Sequence, residues 1–392
     1  MKKKILFILP GFNFGGTVFS TLNMISFMKT EYDIFVLPMT YQGPVIKSYR
    51  DVGIELLPEN IAISALMGKT EQEKSAVRKF AFVFHKALRQ LLDLIGIDYE
   101  ACVYRTTAKK IEKEYQFDFV ASCQEGGATY FASYFDHSRK IAWFRSEYSV
   151  YRTEYPQKAL IKDKKRYPLF DNIVCVSVTT RDDFRSFFPE IRDKIVAIHN
   201  IQNTDNIIAQ SYCSVCDFPD SKFVIVSIGR MNPQKRFSCI PSIARKLLDA
   251  KCDFKWIIIG DGNAFGEWDI LQEEIKKNEV EKTVVCVGPK INPYPYIRKA
   301  QLLVNTSYVE ACPRVVIEAK ILKTPIVCTD FSSAREFVSS DYDGYVDTID
   351  NIYRHIINLI NNRTLYDRIK KVCDEYVIDN ERIFNQIIHL FS

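Results

Sequence analysis

The chain alternates between short apolar runs and helix-patterned stretches, and it does so twice. In the first half, Lys4–Leu9, Asp33–Leu37, Ile54–Leu57, Phe117–Ser122, Lys140–Phe144, Ile173–Val176 and Lys194–Ile198 read as strands. Helix-like segments lie between them, and residues 71–115 read as a long one, with Phe80, Phe84, Leu88 and Leu91 at steps of three or four. A polar stretch, Asn200–Ser221, reads as a connection. The alternation then resumes with strands at Phe223–Ile228, Trp256–Ile259, Thr283–Val287, Leu302–Asn305 and Pro325–Cys328, and helices between them as at Ser238–Leu248 and Arg314–Leu322. From Asp350 to Ser392 the pattern is wholly helical. Strands separated by helices demand parallel sheets with helices on both faces. The expected fold is therefore α/β, with two facing doubly wound, Rossmann-like domains and a helical C-terminal tail. Such sheets bind ligands at the carboxyl ends of their strands, so the expected site is a cleft between the two.

With 392 residues, two or three domains are expected. No apolar run approaches the roughly 18 to 20 residues that span a bilayer. Met1–Lys4 is basic, but Ile5–Leu9 is too short for a signal-peptide core. The expected location is the cytoplasm. Eleven scattered cysteines, several within strand-like runs, suit reduced thiols. Cys213 and Cys216 have C-x-x-C spacing, but no second ligand pair completes a zinc set nearby. The net charge is unevenly placed: residues 1–200 carry +6 and residues 201–392 carry −1. A basic half fits an anionic acceptor or the inner face of an anionic membrane. No nucleic-acid signature accompanies it, so no nucleic-acid partner is expected.

Four loops of the second half follow strands. Gly229-Arg230-Met231-Asn232-Pro233-Gln234-Lys235-Arg236 sets two cations, Arg230 and Lys235, at a strand end. An Arg fork and a Lys point charge together suit a diphosphate. Gly260-Asp261-Gly262 is a tight turn, and Gly288-Pro289-Lys290 is either a turn or a neighbour of a nucleobase. The fourth loop is Glu310-Ala311-Cys312-Pro313-Arg314-Val315-Val316-Ile317-Glu318. Pro313 fits the first turn of a helix, whose free N–H groups form an anion site. Two carboxylates beside an anion are costly unless they bind hydroxyls or cations, which favours a sugar nucleotide over a bare phosphate.

These pieces together resemble the donor-binding domain of retaining GT-B glycosyltransferases, glycosyltransferase family four, the group 1 enzymes of bacterial surface-polysaccharide synthesis. The matching residues are Gly229-Arg230 with Lys235, Gly260-Asp261-Gly262, Glu310 and Glu318 spaced as E-x7-E, Thr324-Pro325-Ile326-Val327, and Asp343-Gly344, in the family's order. The first half matches more loosely, through Pro10-Gly11, Gly15-Gly16 and the run Ile141–Tyr148. The resemblance implies an acceptor domain at 1–200, a donor domain at 201–377 and a final helix, 378–392, packing back on the first domain. It implies that Arg230 and Lys235 bind the donor diphosphate and stabilise the leaving group, with Glu310 on the donor sugar and Glu318 on the ribose. The N–H groups of Arg314 and Val315, and the Gly15-Gly16 loop, would also hold the diphosphate. Gly229, Gly260, Lys290, Ala311 and Cys312 complete the implied donor site, and Glu125, Arg145 and Glu147 fall on the acceptor side.

The chain departs from the family at three places. Ala311 stands where Gly is common, Arg145 where many relatives have His, and Glu147 where they have Asp. Arg145 stays protonated and cannot be a base. The family implies no cofactor and no bound metal; Asp341-Tyr342-Asp343 has D-x-D spacing but abuts Gly344 and reads as a turn. The five histidines, 85, 137, 199, 355 and 389, read as core or surface residues. The expected reaction transfers a sugar, with retention, from a nucleotide-diphosphate sugar (UDP-sugar favoured) to a saccharide or lipid-linked acceptor. The competing readings are an epimerase or phosphorylase of the same fold, and a weakly catalytic sugar-nucleotide-binding subunit. A final expectation is that residues 69–113, which combine Lys69, Lys74, Arg78, Lys79, Lys86, Arg89, Lys109, Lys110 and Lys113 with Phe80, Phe82, Phe84 and Leu88, offer a basic, aromatic face to anionic lipid.

Overall fold

A computed structural model describes all residues except 1, 14, 68–74 and 155–156. The chain forms two compact units, residues 1–202 with Asn380–Ser392, and Asn203–Asp379. The last helix thus belongs to the first unit, beginning at Asn380 where 378 was expected, and the crossover falls at 202–203 where 200–201 was expected.

The first unit is built on seven parallel strands: β1 (Lys4–Leu9), β2 (Asp33–Pro38), β3 (Glu55–Leu56), β4 (Phe119–Ser122), β5 (Arg139–Phe144), β6 (Asn172–Cys175) and β7 (Ile195–Ala197). Their order is β3-β2-β1-β4-β5-β6-β7. The register runs Ile5 against Ile34 on one side and Phe119 on the other. Buried on both faces, these strands are nearly continuous apolar runs. The direction of winding reverses between β1 and β4, so this unit's switch point lies between the loops after those two strands.

The second unit holds six parallel strands: β8 (Val224–Ile228), β9 (Lys255–Ile259), β10 (Val284–Cys286), β11 (Leu302–Asn305), β12 (Ile326–Thr329) and β13 (Gly344–Asp347), in the order β10-β9-β8-β11-β12-β13. Its switch point lies between β8 and β11. Both sheets are covered by helices, with separate apolar clusters on the two faces of the second sheet.

Four differences from the sequence reading have local causes. The stretch 200–221 is not only a connection: it contains the helix Thr204–Gln210, started by the Asn203 side chain accepting from the N–H of Asn206. β13 went unforeseen because Gly-Tyr-Val-Asp offers only two apolar side chains. The tail is three helices, Ile352–Asn361, Arg363–Glu375 and Asn380–Leu390, since Asn362 leaves the helix to cap the next one. The long segment before β4 is likewise two helices, Ala76–Leu94 and Tyr99–Tyr115. They are separated by Gly96 at φ +81° and restarted by the Asp98 cap, which accepts from Ala101 at 2.9 Å. Residues 68–74, and with them Lys69 and Lys74, lie outside the described residues. Among the described residues no helix is long and apolar enough to cross a membrane.

Candidate functional site

The loops after β8 and β9 begin with Gly229 and Gly260, and Gly288 lies two residues past β10; the first two are there for lack of room. Gly229 donates to Ile259 and Gly260 donates to Gly288, so the three strand ends continue as a ladder past the sheet. A Cβ on Gly260 would come within 2.0 Å of the Gly229 carbonyl oxygen. A Cβ on Gly229 would meet the Lys235 side chain at 2.9 Å. Bare backbone here lets the Lys235 stem lie against the end of β8. Asn232 caps the short turn Pro233–Lys235, its side chain accepting from the Lys235 N–H, and this fixes where Lys235 leaves the backbone.

Lys235 then reaches across the switch point. Its ammonium pairs with Glu310 from the loop after β11, and both side chains are mostly buried. The Ser307 hydroxyl donates to the same carboxylate at 2.8 Å. Two further bonds tie the loops together: Tyr308 N–H to the Gln234 carbonyl and the Thr306 hydroxyl to the Lys235 carbonyl, each 2.7 Å. The Glu310 carbonyl is held by the Ser333 hydroxyl at 2.6 Å. The loop-to-loop pair is thus anchored at both ends. The Lys235 ammonium has three donors, of which Glu310 takes one. Arg230, on the same loop, is exposed.

Beyond Ala311 and Cys312, both half-buried, the helix Arg314–Ile321 begins. Pro313 stands just before it and not in its first turn as expected: its carbonyl accepts the first bonds, from Val316 at 3.0 Å and Ile317 at 3.2 Å. The N–H groups of Arg314 and Val315 have no acceptor within the helix. Glu318, one turn in, is buried and takes a 2.9 Å bond from the Arg314 guanidinium. Burial raises its carboxyl above the ordinary range, and Arg314 opposes that shift. The Tyr294 phenol nearby is pushed up to about 12, by burial first and by Glu318 second. Lys290, expected beside the donor, makes a 2.5 Å ion pair with Asp217 in the segment before β8. Hydrogen bonds from Lys290 and Tyr296 pull the Asp217 carboxyl below its usual value.

The other candidates lie in the first unit. Gly15 is extended (φ 176°), a Cβ there would meet nothing within 4 Å, and Gly16 opens the helix Gly16–Met28. Glu125, after β4, is buried and accepts from the Arg145 N–H at 3.0 Å and from the Ser146 hydroxyl at 2.5 Å. Arg145 directs its guanidinium inward, to the Cys123 carbonyl (2.6 Å), Ser20 (2.9 Å) and Asn200 (2.7 Å). It thereby ties the ends of β4 and β5 to the first helix and to the segment after β7. Glu147 is buried. Asp343 of the D-x-D sequence closes its own turn: it accepts from the Ser339 N–H at 2.8 Å and pairs with Lys320 at 2.7 Å. Sequence reasoning missed Ser307, Thr306, Asn232 and Asp217. Only Asn232 left a signal, the Asn-Pro start of a turn.

The chain is similar to known glycosyltransferases in sequence over its second half and in fold over its whole length. Residues 215–373 match the family described as glycosyl transferases group 1. An N-acetylgalactosaminyltransferase of Campylobacter jejuni, named for N-acetylgalactosamine-N,N'-diacetylbacillosaminyl-diphospho-undecaprenol, is 28% identical over 190 residues, 47% of this chain and 48% of that protein. The chain thus spans about half the length of this curated relative. A glycosyltransferase structure from Rickettsia africae superposes with a TM-score of 0.75 at 16% identity, covering 100% of this chain and 98% of that one. An Anabaena protein, Alr3699/HepE, solved with UDP and glucose, superposes with a TM-score of 0.69 at 16% identity, covering 100% and 99%. The chain has the GT-B fold of these structures, and its second unit resembles the group 1 glycosyltransferases.

Proposed function

We propose that the chain is a retaining glycosyltransferase that takes a sugar from a nucleotide-diphosphate sugar, UDP-sugar favoured, and passes it to a saccharide or lipid-linked acceptor in surface-polysaccharide synthesis. The observation that carries this reading is the Lys235–Glu310 pair, set across the switch point of the second sheet beside the start of the helix Arg314–Ile321. A departing nucleoside diphosphate gathers negative charge as the glycosidic bond breaks. Fixed cations and helix N–H groups stabilise that charge more than they stabilise the ground state. In this reading Lys235 and Arg230 meet the diphosphate, with the N–H groups of Arg314 and Val315.

Glu310 has a second duty. Through its bond to Lys235 it positions the ammonium, and its free oxygen is available to a donor-sugar hydroxyl. Glu318 is buried and already oriented by Arg314, which suits acceptance from ribose hydroxyls. No enzymic nucleophile is needed if the departing phosphate takes the acceptor proton and attack occurs on the face it leaves. The reaction then needs no metal, because protein cations carry the phosphate charge. Arg145 and Glu125 on the acceptor side act by holding the strand ends and not as acid or base. The relative from Campylobacter jejuni, named for a diphospho-undecaprenol-linked saccharide, supports a lipid-linked acceptor. Incubating the protein with a panel of nucleotide sugars and lipid-linked or free saccharides, and weighing the products, tests the proposal. A glycosylated acceptor with the donor's anomeric configuration is expected. Release of free sugar or sugar phosphate only, or an epimerised donor, would overturn it.

A further inference from the structure

The helix Ala76–Leu94 has two stripes of opposite character. On its inner side Arg78, Phe82, His85 and Arg89 recur at steps of four, three and four. Arg78 grips Glu59 with both arms at 2.6 Å, Phe82 is in the core, His85 meets the Tyr99 hydroxyl at 2.6 Å, and Arg89 lies 3.4 Å from Glu100. These contacts fix the rotation of the helix. Its outer side is consequently Val77, Phe80, Phe84, Ala87, Leu91 and Leu94, at steps of three, four, three, four and three, and all are exposed. Phe80 is 73% and Leu94 84% exposed, and Ile95 and Ile97 extend the apolar strip past the helix end.

Charge tells what covers this stripe. Lys79 and Lys86 border it, and the helix's one acid, Asp93, sits 3.8 Å from Arg89. At its far end Glu100 also takes a 2.9 Å bond from Lys162, which begins the basic face of the helix Gln157–Arg166. Lys164 and Lys165 of that helix are exposed. Its acid, Asp163, is fully buried and receives the Tyr130 and Tyr148 hydroxyls at 3.1 and 3.3 Å. The outer stripe of Ala76–Leu94 is thus apolar with Lys79 and Lys86 beside it, and the helix Gln157–Arg166, joined to it through Glu100, adds two exposed lysines. A second copy of the chain is a poor occupant. Position 86 lies beside the midpoint of the stripe, so antiparallel or parallel pairing of two such helices would set Lys86 against its own counterpart.

We propose that this surface lies on an anionic phospholipid bilayer, with the apolar stripe in the acyl boundary and Lys79, Lys86, Lys164 and Lys165 at the headgroups. Helices with a large apolar face and flanking lysines bind membranes in this way, and each near-surface cation adds attraction that salt weakens. The inference deepens the lipid-linked acceptor reading and rests on it for its purpose, but the binding itself can be measured without turnover. The test is cosedimentation of the full chain with phosphatidylcholine vesicles, with and without phosphatidylglycerol, at low and high salt. Light scattering of the free protein accompanies it.

The expected result is binding to the phosphatidylglycerol vesicles that falls as salt rises. Phe80→Glu with Phe84→Glu should lower the partition coefficient at least about tenfold, and Lys164→Glu with Lys165→Glu should lower it for anionic vesicles only. Both pairs are exposed, so melting temperatures should stay unchanged. A Phe80→Trp chain should be quenched by brominated lipid. No binding to anionic vesicles, equal binding by the Phe80/Phe84 variant, or a dimer in solution that this variant dissolves would each overturn the proposal. None of these outcomes bears on sugar transfer to a water-soluble acceptor, so the transferase reading stands or falls separately.

Discussion

Lys235 and Glu310 neutralise each other, so in the proposed reading, where a diphosphate arrives beside them, neither side chain is only a ligand. Lys235→Ala removes the cation and also leaves Glu310 with Ser307 as its remaining partner. Loss of one preorganised charge partner raises a barrier by about 3 kcal/mol, so kcat should fall on the order of a hundredfold in a protein that still folds. Steady-state kinetics on the best donor checks this, and a folded Lys235→Ala chain with near wild-type turnover would remove Lys235 from the diphosphate site. Asp163 illustrates a different residue-scale effect, on stability. Burial pushes its carboxyl up to about 7, against the opposing hydrogen bonds from Tyr130 and Tyr148. Between the ordinary value of 3.8 and about 7 the folded chain keeps a proton that the unfolded chain has released. Stability should therefore be fully supported below that window and decline as pH rises through it, by at most about 1.4 kcal/mol per pH unit, levelling off above. Asp163→Asn keeps the volume, accepts from one of the two hydroxyls at its amide oxygen and donates to the other from its amide nitrogen. Its urea midpoint should lack this slope and exceed wild type above neutrality. A slope that persists in Asp163→Asn would place its origin elsewhere.

At the scale of elements, the strands leading to the site were legible in the sequence because a parallel sheet buried on both faces leaves apolar runs ended by glycine. Val224–Ile228, Lys255–Ile259 and Leu302–Asn305 are such runs, and Gly229 and Gly260 follow the first two directly. Those glycines looked like turn formers. The backbone shows a stricter demand, since Gly260 lies where any side chain would strike the Gly229 carbonyl. Gly260→Ala should therefore force the ends of β8 and β9 apart, costing about 1–3 kcal/mol as overpacking does. It should also weaken donor binding without any lost contact to the donor. Urea unfolding together with a thermal-shift titration of nucleotide sugar checks both parts, and an unchanged midpoint would mean that the strand ends yield freely. What the sequence hid were pairings between distant loops. Nothing local ties Thr306 to the Lys235 carbonyl across 71 residues, or Asp217 to Lys290 across 73. Arg145 was hidden in the same way. The resemblance placed it on the acceptor side, and its donors are turned to Cys123, Ser20 and Asn200, residues far apart in the chain. Boundaries failed where short polar caps decided them, as at Asn203, Asn362 and Asp98.

At the scale of the whole molecule, the chain leaves its first unit at residue 202, builds the second, and returns to finish the first with its last thirteen residues. The crossing out and the crossing back are fastened to each other: Gln202 N–H donates to the Asn380 side chain at 3.0 Å, and Asn380 donates to the Gln202 carbonyl at 2.8 Å. Phe391 closes the core. It is fully buried, stacks on Trp143 of β5 at 6.3 Å, and meets Phe7 of β1 and Phe119 of β4 at 6.0 and 5.2 Å. The central strands of the first sheet therefore lack a covering ring until the final residues are in place. Large-to-small replacement of a buried phenylalanine costs about 3–5 kcal/mol. Phe391→Ala should lower the stability of the first unit by that order although the substitution lies one residue from the chain end. Hydrogen exchange locates the effect: amides of β1, β4 and β5 should lose protection, while those of β8, β9, β11 and β12, whose apolar clusters do not include Phe391, should keep theirs. Loss of protection spread evenly over both sheets would mean that the two units unfold as one. No loss in β1, β4 and β5 would mean that the terminal helix rests on the first unit without completing its core.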